Sequence, residues 1–324
     1  MTIRTRAALL GALLPVVMVT ASFALMLSWR ERLPDPMALH WGVDGVDRVG
    51  SFSSHLLPFA ILSASLCLPA IVLALVVRGA ARRGMVGMSA GMAAMMAGIG
   101  VGTTAIQLDA PDAYAISSPG AAIVVPILAA VAIGVLATWL AGRDAPSPST
   151  EAVPDDAARL PLPEGTSAVW SAPLPSIPVG FPVGVIGLLL AMAIAMGVLT
   201  GEWWLLVFPA LIGAVFLVAT GWRVQVDRSG LTLRSVLGRP RYHVPADEIV
   251  RADVTEVNPI KEFGGWGMRV GYNGALGFVS RRGEAFEVER TGDRRVVVTV
   301  DRAAQAAALL NTLADRTRRS SPAE

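Results

Sequence analysis

The chain has 324 residues, of which 53% are hydrophobic and only 16% charged, with a formal net charge of +2. An ordinary soluble chain carries about 25% charge, so long stretches here cannot face water, and the small net charge excludes a bulk pull toward nucleic acid. The single cysteine, Cys67, lies in an apolar run, which excludes an intramolecular disulfide and a cysteine-built metal cage.

A helix needs about 20 apolar residues to cross about 30 Å of hydrocarbon at about 1.5 Å per residue. Six segments meet that length: Ala7–Trp29, Leu56–Val77, Met85–Leu108, Gly120–Ala141, Phe181–Leu199 and Trp203–Gly221. The first has a basic start at Arg4 and Arg6. Its apolar core exceeds the roughly 7–15 residues of a cleaved signal, so it reads as an uncleaved anchor. The last two are joined only by Thr200-Gly201-Glu202, which predicts an antiparallel helical hairpin. Arginine placement sets the orientation. Arg4, Arg6, Arg78, Arg82, Arg83, Arg143 and Arg159 fall on one side, against Arg30, Arg32 and Arg48 on the other. The positive-inside rule then puts both termini in the cytoplasm and the loop at 30–55 outside. Trp29, Trp139, Trp203, Trp204 and Trp222 fall at span ends, where amphipathic rings settle.

The third span carries Gly87, Gly91, Gly98 and Gly102, whose small-xxx-small spacing lets backbones approach closely. Packing within the chain is the simple use of such a stripe; a homodimer seam is the other. The same stretch reads Gly87-Met88-Ser89-Ala90-Gly91. That matches Gly-x-Ser-x-Gly in letters only, because a nucleophile elbow needs a strand-to-helix turn.

Between the fourth and fifth spans, 142–180 is rich in Pro and Ser and reads as a flexible cytoplasmic linker. After Trp222 the pattern turns to period two, with a turn at Asp227-Arg228-Ser229-Gly230, and seven or eight short antiparallel strands are expected up to Val300. Arg302–Thr317 then shows helical spacing, with Asp301 as its N-cap. Residues 222–324 hold 17 basic and 13 acidic residues, a mild attraction toward anionic lipid or simply a solvated surface. The expected class is mixed. A polytopic helical membrane part of about six spans (four-span unit 1–141, linker 142–180, two-span hairpin 181–221) precedes a small β-rich domain (222–316) with one terminal helix and a disordered tail (317–324).

Two segments carry family resemblance. Val244-Pro245-Ala246-Asp247-Glu248-Ile249, the glycine-rich Gly264-Gly265-Trp266-Gly267 and the Arg294–Val300 run before the last helix give 222–316 a texture that resembles a bacterial pleckstrin-homology-like domain. Its first turn offers only Arg228, so inositol-phosphate binding is not carried over. The exterior loop contains Leu33-Pro34, His40-Trp41 and Gly45-Val46-Asp47-Arg48. It resembles the bacterial membrane-domain family named domain of unknown function 1648, with Ala38 where that pattern usually has proline. The same domain occurs in proteins that resemble a toxin-immunity and signalling protein.

These resemblances imply a non-enzymatic protein of the bacterial plasma membrane. It would sense or bind outside through Pro34, His40, Trp41, Gly45, Asp47 and Arg48. Inside, it would dock a protein partner or the membrane surface through 222–316. Alternatives are a toxin-immunity factor or transporter acting within the bilayer, and a membrane enzyme using the exterior His/Asp cluster. His40, Asp44, Asp47 and His55 are weak metal candidates without a zinc-like spacing, and Asp109 and Asp112 share their side. No motif calls for a cofactor.

Overall fold

The computed structural model describes residues 2–77, 80–116, 118–142, 148–149, 151–163, 165–174, 180–238 and 240–320. The chain forms two compact units, one of Met1–Asp144 with Leu189–Pro209 and the other of Ala145–Leu188 with Ala210–Glu324.

The first unit is helical. α1 (Ile3–Ala8) passes through a π-helical turn at Leu9–Leu13 into α2 (Leu14–Ser28). Then come α3 (Phe52–Val76), α4 (Ala80–Ala105) and α5 (Gly120–Leu140). The second helical stretch holds α6 (Gly180–Thr200) and α7 (Val207–Thr220). Among the described residues, five helices are long and apolar enough to cross a membrane: Ile3–Ser28, Phe52–Val76, Arg82–Ala105, Gly120–Leu140 and Val183–Thr200. The expected sixth span is shorter than the sequence implied. Trp203–Leu206 winds as a 3-10 turn, leaving α7 with 14 residues. That is about 21 Å of helix against about 30 Å of hydrocarbon. Glu202, between α6 and this turn, accepts from the Ser118 hydroxyl (2.9 Å) and from the Trp204 indole, pinning the connection to the start of α5.

α4 is the hub, and its glycine stripe is used inside the chain. A Cβ on Gly87 would lie 2.5 Å from the Gly134 carbonyl of α5, and one on Gly102 would lie 2.8 Å from the Ala122 carbonyl. On Gly98 it would meet the Pro126 ring at 2.7 Å. The two backbones therefore touch along the stripe, and the small-residue spacing serves packing within the chain.

Ser89 also has a structural task. Pro15 has no N–H to give the Gly11 carbonyl one helical turn earlier. The chain widens there into the π turn, and the buried Ser89 hydroxyl donates to that carbonyl at 2.8 Å. A hydroxyl lying inside a helix and spent on a backbone carbonyl is no nucleophile elbow.

The second unit is built on two sheets. β3 (Trp170–Pro173), β4 (Trp222–Asp227), β5 (Gly230–Ser235) and β6 (Arg241–Pro245) pair antiparallel in that order. The second sheet has the order β7-β10-β11-β9-β8. Its members are β7 (Ile249–Val257), β8 (Gly267–Val270), β9 (Leu276–Val279), β10 (Gly283–Arg290) and β11 (Arg294–Thr299). α8 (Pro259–Phe263) connects β7 to β8, and α9 (Ala303–Ser320) packs against β7. β9 and β11 run parallel, a departure from the antiparallel expectation. Trp222 turns into this unit, edge-on to Phe278 at 5.3 Å, rather than out toward an interface.

Much of the expected linker is docked. Val153, Ala157, Ala172 and Leu174 are buried. Arg159 pairs with Asp315 at 2.6 Å, and Leu160 exchanges hydrogen bonds with the Thr312 hydroxyl. The Asn311 amide clasps both the N–H and the carbonyl of Ala252 on edge strand β7 at 2.8 Å, and donates to the Ala158 carbonyl at 2.9 Å. Linker residues 143–147, 150, 164 and 175–179 lie outside the described residues. α9 continues to Ser320, beyond the expected start of a disordered tail at 317; the tail's 321–324 also lie outside the described residues. Asp301 pairs with Arg281 instead of capping α9, whose Ala303 N–H is received by Glu284 at 2.8 Å.

Replacing Ser89 by Ala strands the buried Gly11 carbonyl and should cost about 1–2 kcal/mol. Gly91→Leu, which drives a side chain into the Ala130 carbonyl, should lower the thermal midpoint much further. Unfolding of the detergent-solubilised chain, followed by far-UV circular dichroism, checks the order.

Candidate functional site

The segment at 30–55, expected as an exterior loop, folds as a hairpin over 37–50. β1 (Met37–Gly42) and β2 (Gly45–Gly50) pair antiparallel through the two-residue turn Val43-Asp44. Gly45, at φ +104, supplies the left-handed backbone that the turn requires. The Ser51 hydroxyl then caps α3 by accepting from the Ser54 N–H.

Three ties hold the hairpin to the helices. The fully buried Gln107, just past α4, accepts from the Ala38 N–H at 2.8 Å. Its amide donates to the Ala38 carbonyl at 3.1 Å and to the Thr103 carbonyl at 2.9 Å. Proline at position 38 would have no N–H to give. The Trp41 indole donates to the Ile116 carbonyl at 3.3 Å. Before the hairpin, Arg32 grips Asp109 in a two-pronged ion pair, and the Asp109 N–H donates to the Arg32 carbonyl at 2.9 Å. The Arg32 hydrogen bonds hold the Asp109 carboxyl below its ordinary range, against some desolvation.

The motif residues separate into two groups. His40 Nδ1 and Asp47 Oδ1 meet at 2.7 Å across the hairpin, both about half exposed. Asp47 thus bonds a histidine, not one of the neighbouring arginines. Gly42 makes room, since its Cβ would fall 2.6 Å from Asp47 Oδ2. Pro34 lies in the run that enters β1, and Asp44 sits exposed in the turn. His55 turns inward from α3, hydrogen bonded to Thr104 (3.3 Å) and stacked on Phe59. Asp112 is taken up in capping the Tyr114 and Ala115 N–H groups. Among the described residues, no group of three or more His, Cys, Asp or Glu side chains gathers to hold a metal ion.

Trp41 and Arg48 reach a different feature. Under the hairpin, between α3 and α4, lies a cleft of about 450 Å³. Leu39, Pro58, Phe59, Leu62 and Ile99 give it apolar walls, while Trp41, Arg48, Ser54, His55 and Thr103 bring polar groups. Gly100 makes space for Phe59, whose ring lies 2.5 Å from where a Cβ would stand. The volume is that of a small-molecule pocket. The chemistry is amphiphilic: one guanidinium with hydroxyl and imidazole neighbours, opening onto an aliphatic and aromatic slot. The local signal for Thr103, Thr104 and Gln107 is three polar residues at one end of an apolar run; their roles, holding the hairpin and lining the cleft, have none.

No family model, curated protein or solved structure matches the chain. The reading of the site therefore stands on its geometry. A second cavity, of about 570 Å³ in the other unit, is lined by residues of both charge signs, Glu151, Glu289, Arg290, Asp293, Arg294 and Arg295 among them, and selects no single ligand charge.

Replacing Gln107 by Leu leaves both backbone groups of Ala38 unpaired and should lower stability by about 2–4 kcal/mol. Chemical denaturation of the solubilised protein measures it; a change near zero would mean that the clamp is dispensable.

Proposed function

We propose that this is a non-enzymatic protein of the bacterial plasma membrane that binds an anionic amphiphile in the cleft beneath its exterior hairpin. The observation that carries the reading is the pairing of one cation, Arg48, with an apolar slot. A carboxylate or phosphate head would sit against the guanidinium with Ser54 and Trp41 nearby, and an acyl-like tail would lie along Phe59, Leu62 and Ile99. Charge-assisted hydrogen bonds to arginine are among the stronger polar contacts, at about 1.5–3 kcal/mol. The tail contributes roughly 25 cal/mol per Å² of area it removes from water. The arginine bias supports a cleft on the outer side and a β-rich domain on the inner side. The inner domain, by its resemblance to pleckstrin-homology-like modules, serves for docking. Arg48 is exposed where a ligand would arrive, and the His40–Asp47 pair is a structural brace of the hairpin roof.

The reading is tested with a photoreactive fatty acid and the full chain in lipid nanodiscs. Labelling should map to peptides from α3 and α4. Arg48→Gln should weaken it by about tenfold or more, as expected for a lost charge-assisted bond. Leu62→Trp, which fills the slot, should abolish it with the fold intact. Labelling unchanged in both variants would sink the proposal.

A further inference from the structure

The outer face of the four-stranded sheet carries a row of like charges that the fold does not neutralise. Arg223 of β4 stands opposite Arg234 of β5, and Arg234 opposite Arg241 of β6. All three are exposed, and among the described residues none is engaged in an ion pair or hydrogen bond. Like charges directly opposed across a sheet are destabilising. An anion bound across the row would relieve that repulsion. His243, on the same face, registers the field: burial and then the charge of Arg241 hold its imidazole below the ordinary range, with Asp227 opposing only in part.

The row has an apolar neighbour. The turn after β5 leaves Val236 65% and Leu237 55% exposed. The Val236 N–H donates to the Gly221 carbonyl at 2.7 Å. Gly221 follows directly on α7, and a Cβ there would lie 2.7 Å from a Val236 methyl. The tip is thus tied to the end of an apolar helix, and Arg223 begins the row two residues further on.

We propose that Arg223, Arg234 and Arg241, with the Val236-Leu237 tip, form a surface that docks onto the anionic phospholipid headgroups of the leaflet bounding the end of α7. A leaflet matches all three observations: phosphates for the guanidiniums, the acyl boundary for the tip, and hydrocarbon for the helix. The inference rests on reading α6 and α7 as membrane-embedded. It specifies which face of the inner domain does the docking, and what it docks to.

The test uses the full chain with Cys67→Ala and a fluorophore on Leu237→Cys, in nanodiscs that carry a nitroxide-labelled lipid. A parallel label on Met192→Cys in α6 reports the embedding itself. The Leu237 label should be quenched with phosphatidylglycerol present and largely released in pure phosphatidylcholine. Each arginine should bias docking about fivefold, so Arg223→Gln alone should weaken it by about that factor and the triple Gln variant by roughly a hundredfold. Quenching at Met192 but not at Leu237 would overturn the docking surface while leaving the embedding intact, as would an acidic protein claiming the row. Quenching at Leu237 that ignores lipid charge and the arginines would overturn the headgroup contact. No quenching at Met192 would remove the embedding, and the inference with it.

Discussion

A buried amide, Gln107, turns a loop between two helices into the roof of a cleft. Backbone N–H and C=O groups withdrawn from water must be paired, and this demand is strictest beside hydrocarbon. Ala38 is fully buried at the start of the hairpin, with no strand beyond it to pair both of its groups. The Gln107 side chain supplies the missing donor and acceptor in the geometry of a neighbouring strand, and its third bond, to Thr103, fixes the amide to the end of α4. Hairpin position, cleft depth and the reach of Arg48 all follow from that clamp.

The same solution recurs in the chain. Asn311 clasps Ala252 on the edge strand β7, and Ser89 satisfies the carbonyl that Pro15 leaves open at Gly11. In each case a polar side chain on a helix or just past its end completes backbone that secondary structure cannot. The walls of the cleft come from α3 and α4, and α4 is held by backbone-to-backbone contact with α5 along its glycines. A pocket with two rigid helical walls and a roof tied at three points suits binding to a preformed shape, with little ordering to be done when the ligand arrives.

Composition and apolar run length were enough to read a helical membrane part followed by a β-rich domain, because both signals are local. Strand positions in 222–300 were legible from alternation, and the Asp227–Gly230 turn from its residue types. The docked stretches at 153–163 and 165–174 were missed because their prolines read as linker. The signal in the second was the Trp170-x-Ala172-x-Leu174 alternation, which only a neighbouring strand gives meaning. The hairpin at 37–50 left a weak local signal, Asp44-Gly45 between apolar residues, and register shifts around His40 break the period-two alternation of its strands. The last apolar run came out as a shorter α-helix than its hydropathy implied, because a 3-10 turn at Trp203–Leu206 is invisible to hydropathy. No local rule pairs Gln107 with Ala38, 69 residues apart, and so the cleft could not be read from the sequence.

Hydrogen–deuterium exchange of the native full chain in nanodiscs tests the clamp most directly, read on peptides that cover residues 37–50 and 85–105. Amides of Met37–Leu39 are expected to exchange almost as slowly as those of α4, and to be freed in Gln107→Ala while α4 stays protected. Hairpin amides that exchange at loop rates in the unaltered protein would contradict a roof held by Gln107, and with it the cleft as a formed site.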